Sequence, residues 1–160
     1  MSVIIGVDPG KTTGWARLDT IDHTIVTGQS VGLEETFHYL HSFIHAEANA
    51  QAVFVVEDYI VRPPAMRGVT SFEHTWHKPI AVNVIGAIQY ACTIEEREYI
   101  LQQPSIKPPG YAFAGLEYVK GSKRKGVHMD DATAHCYFYA VKELGYPPVK
   151  NLDYPPVRRL

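Results

Sequence analysis

Ser2-Val3-Ile4-Ile5-Gly6-Val7-Asp8-Pro9-Gly10 opens the chain, and Lys11-Thr12-Thr13-Gly14-Trp15-Ala16 follows it. A Val/Ile-rich run closed by Pro-Gly reads as a buried strand and then a turn. The Asp at its end is the informative residue. Ionised in a low-dielectric site, a carboxylate costs several kcal/mol unless something pairs with it. The arrangement recurs at Ala52-Val53-Phe54-Val55-Val56, which runs directly into Glu57. Two buried strands that each end in an acid point to carboxylates converging on metal. Taken singly, each acid has a plainer reading: Asp8 as a turn cap, Glu57 as half of an ion pair.

The rest of the chain supplies the frame. Thr13 to Leu18 and His23 to Val31 read as strands joined by an Asp19-Thr20-Ile21-Asp22 turn. Leu33, Phe37, Leu40 and Ile44 recur at helical spacing, and Ile80, Val84, Ala87, Ile88 and Ala91 do so again after Pro79. Tyr99 to Gln102 is a short fifth strand. The span 59–79 reads as a loop entering a helix near Ser71. The span 105–126 reads as irregular, because it carries Pro108-Pro109-Gly110 and a basic run. A last helix runs from about Met129 to Leu144, with Gly145 placed as its cap. The tail repeats Tyr-Pro-Pro-Val at 146–149 and 154–157, which predicts an extended polyproline-like path. The order predicts an α/β fold, a five-stranded mixed sheet flanked by helices, over 1–145, and a Pro-rich tail over 146–160. Ligands in such sheets gather at the carboxyl ends of strands, where Asp8 and Glu57 stand.

Composition bounds the function. At 160 residues, 46% apolar and 20% charged, the chain reads as one globular domain. No apolar run approaches the roughly 20 residues of a bilayer span. The N-terminus lacks a signal-peptide pattern, and Cys92 and Cys136 form no CxxC, so a cytoplasmic protein with reduced thiols is expected. The net charge of −2 excludes a uniformly basic surface. Positive charge is instead gathered at Lys107, Lys120, Lys123, Arg124, Lys125, Arg158 and Arg159. Gly6 to Thr12 is not a phosphate-binding P-loop, because three residues rather than four separate Gly from Gly-Lys.

The third acidic site is His128-Met129-Asp130-Asp131. At ~100° per residue, His128 and Asp131 share a helix face and Asp130 is turned away from Asp131. Asp8, Glu57, Asp131 and either His128 or Asp130 would repel one another unless divalent cations neutralised them. Oxygen-rich sites with one imidazole suit Mg²⁺ or Mn²⁺. His135 lies on Asp131's face and reads as a core histidine or one that supports a ligand from behind. His38, His41 and His45 read as surface residues, with zinc as a lesser alternative.

These motifs resemble those of RuvC-type Holliday junction resolvases, in the RNase H-like nuclease superfamily. Ile5 to Gly10 with Thr13-Gly14-Trp15-Ala16 resembles the first strand and hairpin, and Val55-Val56-Glu57 the second acidic site. Pro79-Ile80 to Gly86-Ala87-Ile88 resembles the helix that follows. His128-Met129-Asp130-Asp131-Ala132-Thr133-Ala134 resembles the closing motif. The resemblance spans the chain to about Leu144. It implies an RNase H-like fold, a homodimer, and paired symmetric nicks in four-way junctions during recombination, repair or replication. The products would carry 5′-phosphates. It implies Asp8, Glu57 and Asp131 as metal ligands and catalytic residues, with His128 or its rival Asp130 as the fourth ligand. Two Mg²⁺ ions per site are implied, about 3.5–4 Å apart, with Mn²⁺ able to substitute. Lys107, Lys120, Lys123, Arg124 and Lys125 would grip phosphates, and Tyr59, Phe72 or Trp76 would wedge into the junction. The loop at 59–77 and the tail depart from the family, consistent with a divergent, phage-borne member. Alternatives are a flap, Y-fork or RNA nuclease of the superfamily, a nucleotide-binding domain of the actin/hexokinase type, and a non-catalytic branched-DNA-binding module.

Overall fold

The computed structural model describes residues 3–59, 78–121, 126–151 and 157–159. Its strands are β1 (Val3–Asp8), β2 (Thr12–Asp19), β3 (Thr24–Val31), β4 (Val53–Glu57), β5 (Glu98–Gln102) and β6 (Val157–Arg159). Its helices are α1 (Leu33–His45), α2 (Lys78–Ile94), α3 (Lys107–Phe113) and α4 (Val127–Glu143). The strands form one mixed sheet in the order β5-β4-β1-β2-β3-β6. The hairpins β1–β2 and β2–β3 are antiparallel, and the β1–β4, β4–β5 and β3–β6 pairs are parallel.

The alternation of side chains along β1 builds both layers. Val3, Ile5 and Val7 pack with Phe54 and Val56 under α1 and α2. Ile4, with Val53 and Val55 of β4, packs under Ala132, Cys136 and Ala140 of α4. Asp8 continues the even-numbered face of β1, and Glu57 continues the Val53–Val55 face of β4. Both carboxylates therefore look toward α4. Val7 stands opposite Val56 in the parallel β1–β4 register, which brings Asp8 and Glu57 to one edge.

Two glycines let α4 lie against the sheet. A Cβ on Gly6 would stand 2.2 Å from the Ala132 carbonyl oxygen, and one on Gly14 would stand 2.0 Å from that of His128. Helix ends follow the expected chemistry. Gly145 adopts φ 67° just past α4, and Gly126 adopts φ 82° at its start. Asp19 Oδ1 accepts from the Ile21 and Asp22 amides at 3.0 and 3.1 Å, closing the β2–β3 turn.

The span 105–126, expected to be irregular, contains α3. Pro108 and Pro109 occupy its first turn, where the missing N–H groups have no intrahelical partner to lose. Gly110 then admits α4, for its Cβ would lie 2.4 Å from the Ala134 carbonyl oxygen. The first Tyr-Pro-Pro-Val of the tail is packed rather than simply extended, and Tyr154-Pro155-Pro156 of the second lie outside the described residues. Tyr146 is buried against Tyr137 and bonded to His23 Nδ1 at 2.7 Å, and Val157–Arg159 adds a sixth strand beside β3. The expected helix near Ser71, together with Phe72 and Trp76, lies outside the described residues.

Candidate active site

Four elements deliver the site. β1 ends in Asp8, β4 in Glu57, α4 begins with His128 and Asp131, and α3 begins with Lys107. The two acids come from neighbouring parallel strands, so their backbones are fixed by the sheet. His128 and Asp131 are three apart on α4, and the contact at Gly14 sets that helix end directly over Asp8's neighbour in the hairpin.

The centre of the cluster is the Lys107 ammonium. Its Nζ lies 2.6 Å from Glu57 Oε2, 2.8 Å from Asp131 Oδ2 and 3.2 Å from Asp8 Oδ1. His128 Nδ1 meets the other oxygen of Asp8 at 2.6 Å. Tyr111, four residues beyond Lys107 on α3, donates its hydroxyl to Asp131 Oδ1 at 2.6 Å. His135, one turn beyond Asp131 and fully buried, has Nε2 3.4 Å from Glu57 Oε2 and Nδ1 2.8 Å from Gln102 Oε1.

The electrostatics express the crowding. Burial pushes the Asp8 carboxyl up to about 7, against the His128 hydrogen bond and the Lys107 charge, and the neighbouring Glu57 adds to the rise. Glu57 moves the other way. Burial disfavours its charge, but hydrogen bonds from His135 and Asp8 and the Lys107 charge outweigh it and hold its carboxyl well below the usual range. Burial works against the Lys107 charge as well, yet the three carboxylates raise its ammonium above the ordinary value. The hydrogen bond to Asp8 raises His128, and burial lowers His135. Burial thus works against charge on Asp8, while the donors gathered around Glu57 favour its ionised form.

The donor set fits a hard divalent cation. Ligand atoms of Asp8, His128 and Asp131 all lie within 4.8 Å of one another. Glu57 is joined to them through the shared Lys107 ammonium. One ammonium stands where three carboxylate oxygens converge, so the locus already selects positive charge. Carboxylates with one imidazole match Mg²⁺ or Mn²⁺ better than a thiolate-seeking metal.

Of the expected site residues, Asp8, Glu57, His128 and Asp131 come together. Asp130 does not join them. It is buried (6% exposed) on another side of α4, as its 100° offset dictates. Lys107, expected to face phosphates, has its ammonium among the acids. Lys120 is exposed, and Tyr59 is 36% exposed two residues past Glu57. Lys123, Arg124 and Lys125 lie outside the described residues. Tyr111 and Gln102 were not anticipated. The i, i+4 step from Lys107 could have flagged Tyr111 once α3 was known. His41 and His45 stack on α1 with ring centres 4.2 Å apart and His45 is 3.4 Å from Glu95, but no metal-sized ligand group forms there among the described residues. Cys92 and Cys136 are buried free thiols. No described helix is long and apolar enough to cross a membrane.

No family model matches the chain, and no curated protein matches it in sequence. Solved structures do match it in shape. Thermus thermophilus RuvC in complex with a Holliday junction substrate superposes with a TM-score of 0.58 at 14% identity, over 92% of this chain and 99% of that one. A second T. thermophilus RuvC structure gives 0.53 at 14% identity, over 91% and 98%. The architecture of the five strands β1 to β5 and their flanking helices is therefore RuvC-like, an RNase H-like fold to which β6 adds an edge.

Proposed function

We propose that the chain is a metal-dependent DNA endonuclease selective for branched DNA. Four-way junctions are its principal substrate, and it acts as a homodimer making paired symmetric nicks. The observation that carries this reading is the convergence of Asp8, Glu57, Asp131 and His128 on one cation-selecting locus at the carboxyl edge of the sheet. The likeness in fold to a RuvC bound to a Holliday junction supports the choice of substrate.

Asp8, Glu57, Asp131 and His128 would hold Mg²⁺ or Mn²⁺. Divalent ions at such a site supply Lewis-acid polarisation of the phosphate and activation of water for in-line attack. The chain's own groups do the rest. Glu57 and Asp131 are anchored by His135 and Tyr111, so their oxygens are fixed before substrate arrives. The His128 side chain is 41% exposed and bonded to Asp8, so its imidazole serves either as a metal ligand or, in place of that, as a proton relay to solvent. Lys107, relieved of neutralising the acids, is free to face phosphate. Lys120, Lys123, Arg124 and Lys125 grip the backbone and make binding salt-dependent, and Tyr59 stands beside the site as a stacking wedge.

The test is cleavage of an end-labelled four-way junction beside flap, Y-fork, linear duplex and RNA substrates, with Mg²⁺, Mn²⁺ or EDTA. Paired nicks with 5′-phosphates on the junction are expected, abolished by EDTA and by Asp8→Asn or Asp131→Asn. Equal cutting of flaps and forks would widen the substrate class. Binding without cutting under either metal would overturn the enzyme in favour of a binding module.

A further inference from the structure

His135 is a fully enclosed polar residue in a helix whose buried side chains are mostly apolar. Its neighbours on α4, Ala132, Ala134, Cys136 and Tyr137, are all buried. A leucine would fill that volume without polar groups to satisfy. Both imidazole nitrogens nonetheless have partners, Glu57 Oε2 and the Gln102 side chain. Gln102 is not incidental, since it stands opposite Glu57 in the parallel β4–β5 register. The three side chains therefore form a line running from the last residue of β5, through α4, to the last residue of β4.

The chemistry of the line fixes its proton. A neutral imidazole has one N–H. An ionised Glu57 can only accept. If the N–H pointed at Gln102, the Nε2 lone pair would face the carboxylate, and two acceptors would oppose each other in a buried site. The consistent arrangement has Nε2–H donating to Glu57 Oε2 and the Gln102 amide presenting its NH₂ end to Nδ1. A half turn of the amide supplies this, for its two ends have the same shape. Glu57 Oε2 then receives two donors, Lys107 Nζ at 2.6 Å in front and His135 at 3.4 Å behind.

We propose that His135 and Gln102 are a positioning pair that fixes the imidazole tautomer, and through it the orientation of the Glu57 carboxylate, for metal binding. The role rests on the metal-site reading above. Hydrogen-bond partners behind a metal ligand typically contribute 10- to 100-fold in affinity or activity.

The experiment is calorimetric titration of the full chain with Mn²⁺ alone, without DNA, for wild type, His135→Leu, His135→Gln and Gln102→Leu. Leucine removes both hydrogen bonds while filling the space. Glutamine places an amide N–H near the position of Nε2. About 10- to 100-fold weaker Mn²⁺ binding is expected for His135→Leu, with substantial recovery in His135→Gln. Gln102→Leu, at a strand end, leaves the imidazole in place but frees its tautomer, and it is expected to weaken Mn²⁺ in the same direction. Wild-type affinity in a folded His135→Leu protein would overturn the proposal. Should that variant not fold, unchanged affinity in Gln102→Leu would overturn it as well. Equal loss in the leucine and glutamine variants would assign His135 a packing role only. Absence of Mn²⁺ binding by the wild type would instead overturn the metal-site reading itself.

Discussion

Replacing Gly14 with alanine should disable the site while leaving the fold standing. The added Cβ would lie 2.0 Å from the His128 carbonyl oxygen, 2.2 Å from its carbonyl carbon and 2.8 Å from its Cβ. These are atoms of a helix start, not the tip of a flexible side chain, so they cannot rotate away. Ordinary contact begins at 3.4 Å, so the helix end must back off by roughly 1.4 Å. That end carries His128 and Asp131, whose bonds to Asp8 and Lys107 are 2.6 and 2.8 Å long. A misplacement of about 1 Å in a catalytic constellation can cost about 100-fold in rate. Overpacking of this kind costs about 1–3 kcal/mol. In a domain of this size that lowers Tm by roughly 2–12 °C. The assay pairs Mg²⁺-dependent junction cleavage with thermal unfolding. Gly28→Ala is the control, since its Cβ would press on the Trp15 ring at 2.2 Å, on the sheet face away from the acids. It should lose stability and keep activity. A folded Gly14→Ala protein with near-wild-type cleavage, or a Gly28→Ala protein equally inactive, would refute the reasoning.

Lys107→Met should destabilise the metal-free protein by roughly 3–5 kcal/mol, because it leaves buried carboxylates without their counter-charge. Saturating Mn²⁺ should then raise Tm more in the variant than in wild type, read by thermal shift; an unchanged metal-free Tm would show the ammonium to be dispensable. The pH dependence follows from Asp8 and His128, both raised above their ordinary values. The stability each contributes without metal is present at low pH and is lost as pH rises, through about 7 for Asp8. Metal needs an ionised Asp8 and a neutral His128. Mn²⁺ affinity should therefore tighten as pH rises toward 7, by about a hundredfold per pH unit where both groups carry their protons and about tenfold where only one does, and the gain in Tm should grow over the same range. A flat gain would contradict the assignment. Gly86→Ala, in the middle of α2 with no atom of the described residues within 4 Å of the new Cβ, should stabilise by about 0.5–1 kcal/mol and leave cleavage unchanged.

The strand ends were legible because burial and charge conflict there. Nothing in a Val/Ile run explains a terminal acid except a partner, and Asp8 and Glu57 both have one. The α4 pair was legible through helical spacing, which also separated Asp131 from Asp130. What escaped the sequence has definite causes. Pro108-Pro109 breaks a helix in its interior but not in its first turn, and composition does not say which turn it is in. With α3 unseen, Lys107 read as a loop lysine and Tyr111 went unnoticed. The Gln102–His135–Glu57 line joins three elements, so no local pattern announces it. β6 is three residues long and is specified by its pairing with β3 rather than by its own pattern. Gly6 and Gly14 could have been read as close approaches of backbone, since glycine inside a strand often marks one.

The odd–even division of β1 and β4 has a consequence for how this protein can change. Asp8 and Glu57 reach α4 because each lies an even number of residues from the core side chains Ile4 and Val53. Swapping one aliphatic residue for another in either strand keeps that count. Deleting or inserting a single residue there turns every side chain over, sending the acid into the layer beneath α1 and α2 and the aliphatics of that layer toward α4. The two strands should thus be permissive to substitution and closed to single-residue changes of length. Lineages of this fold can then lose nearly all recognisable identity while retaining the acids, because the strands transmit a count of residues more strictly than a spelling.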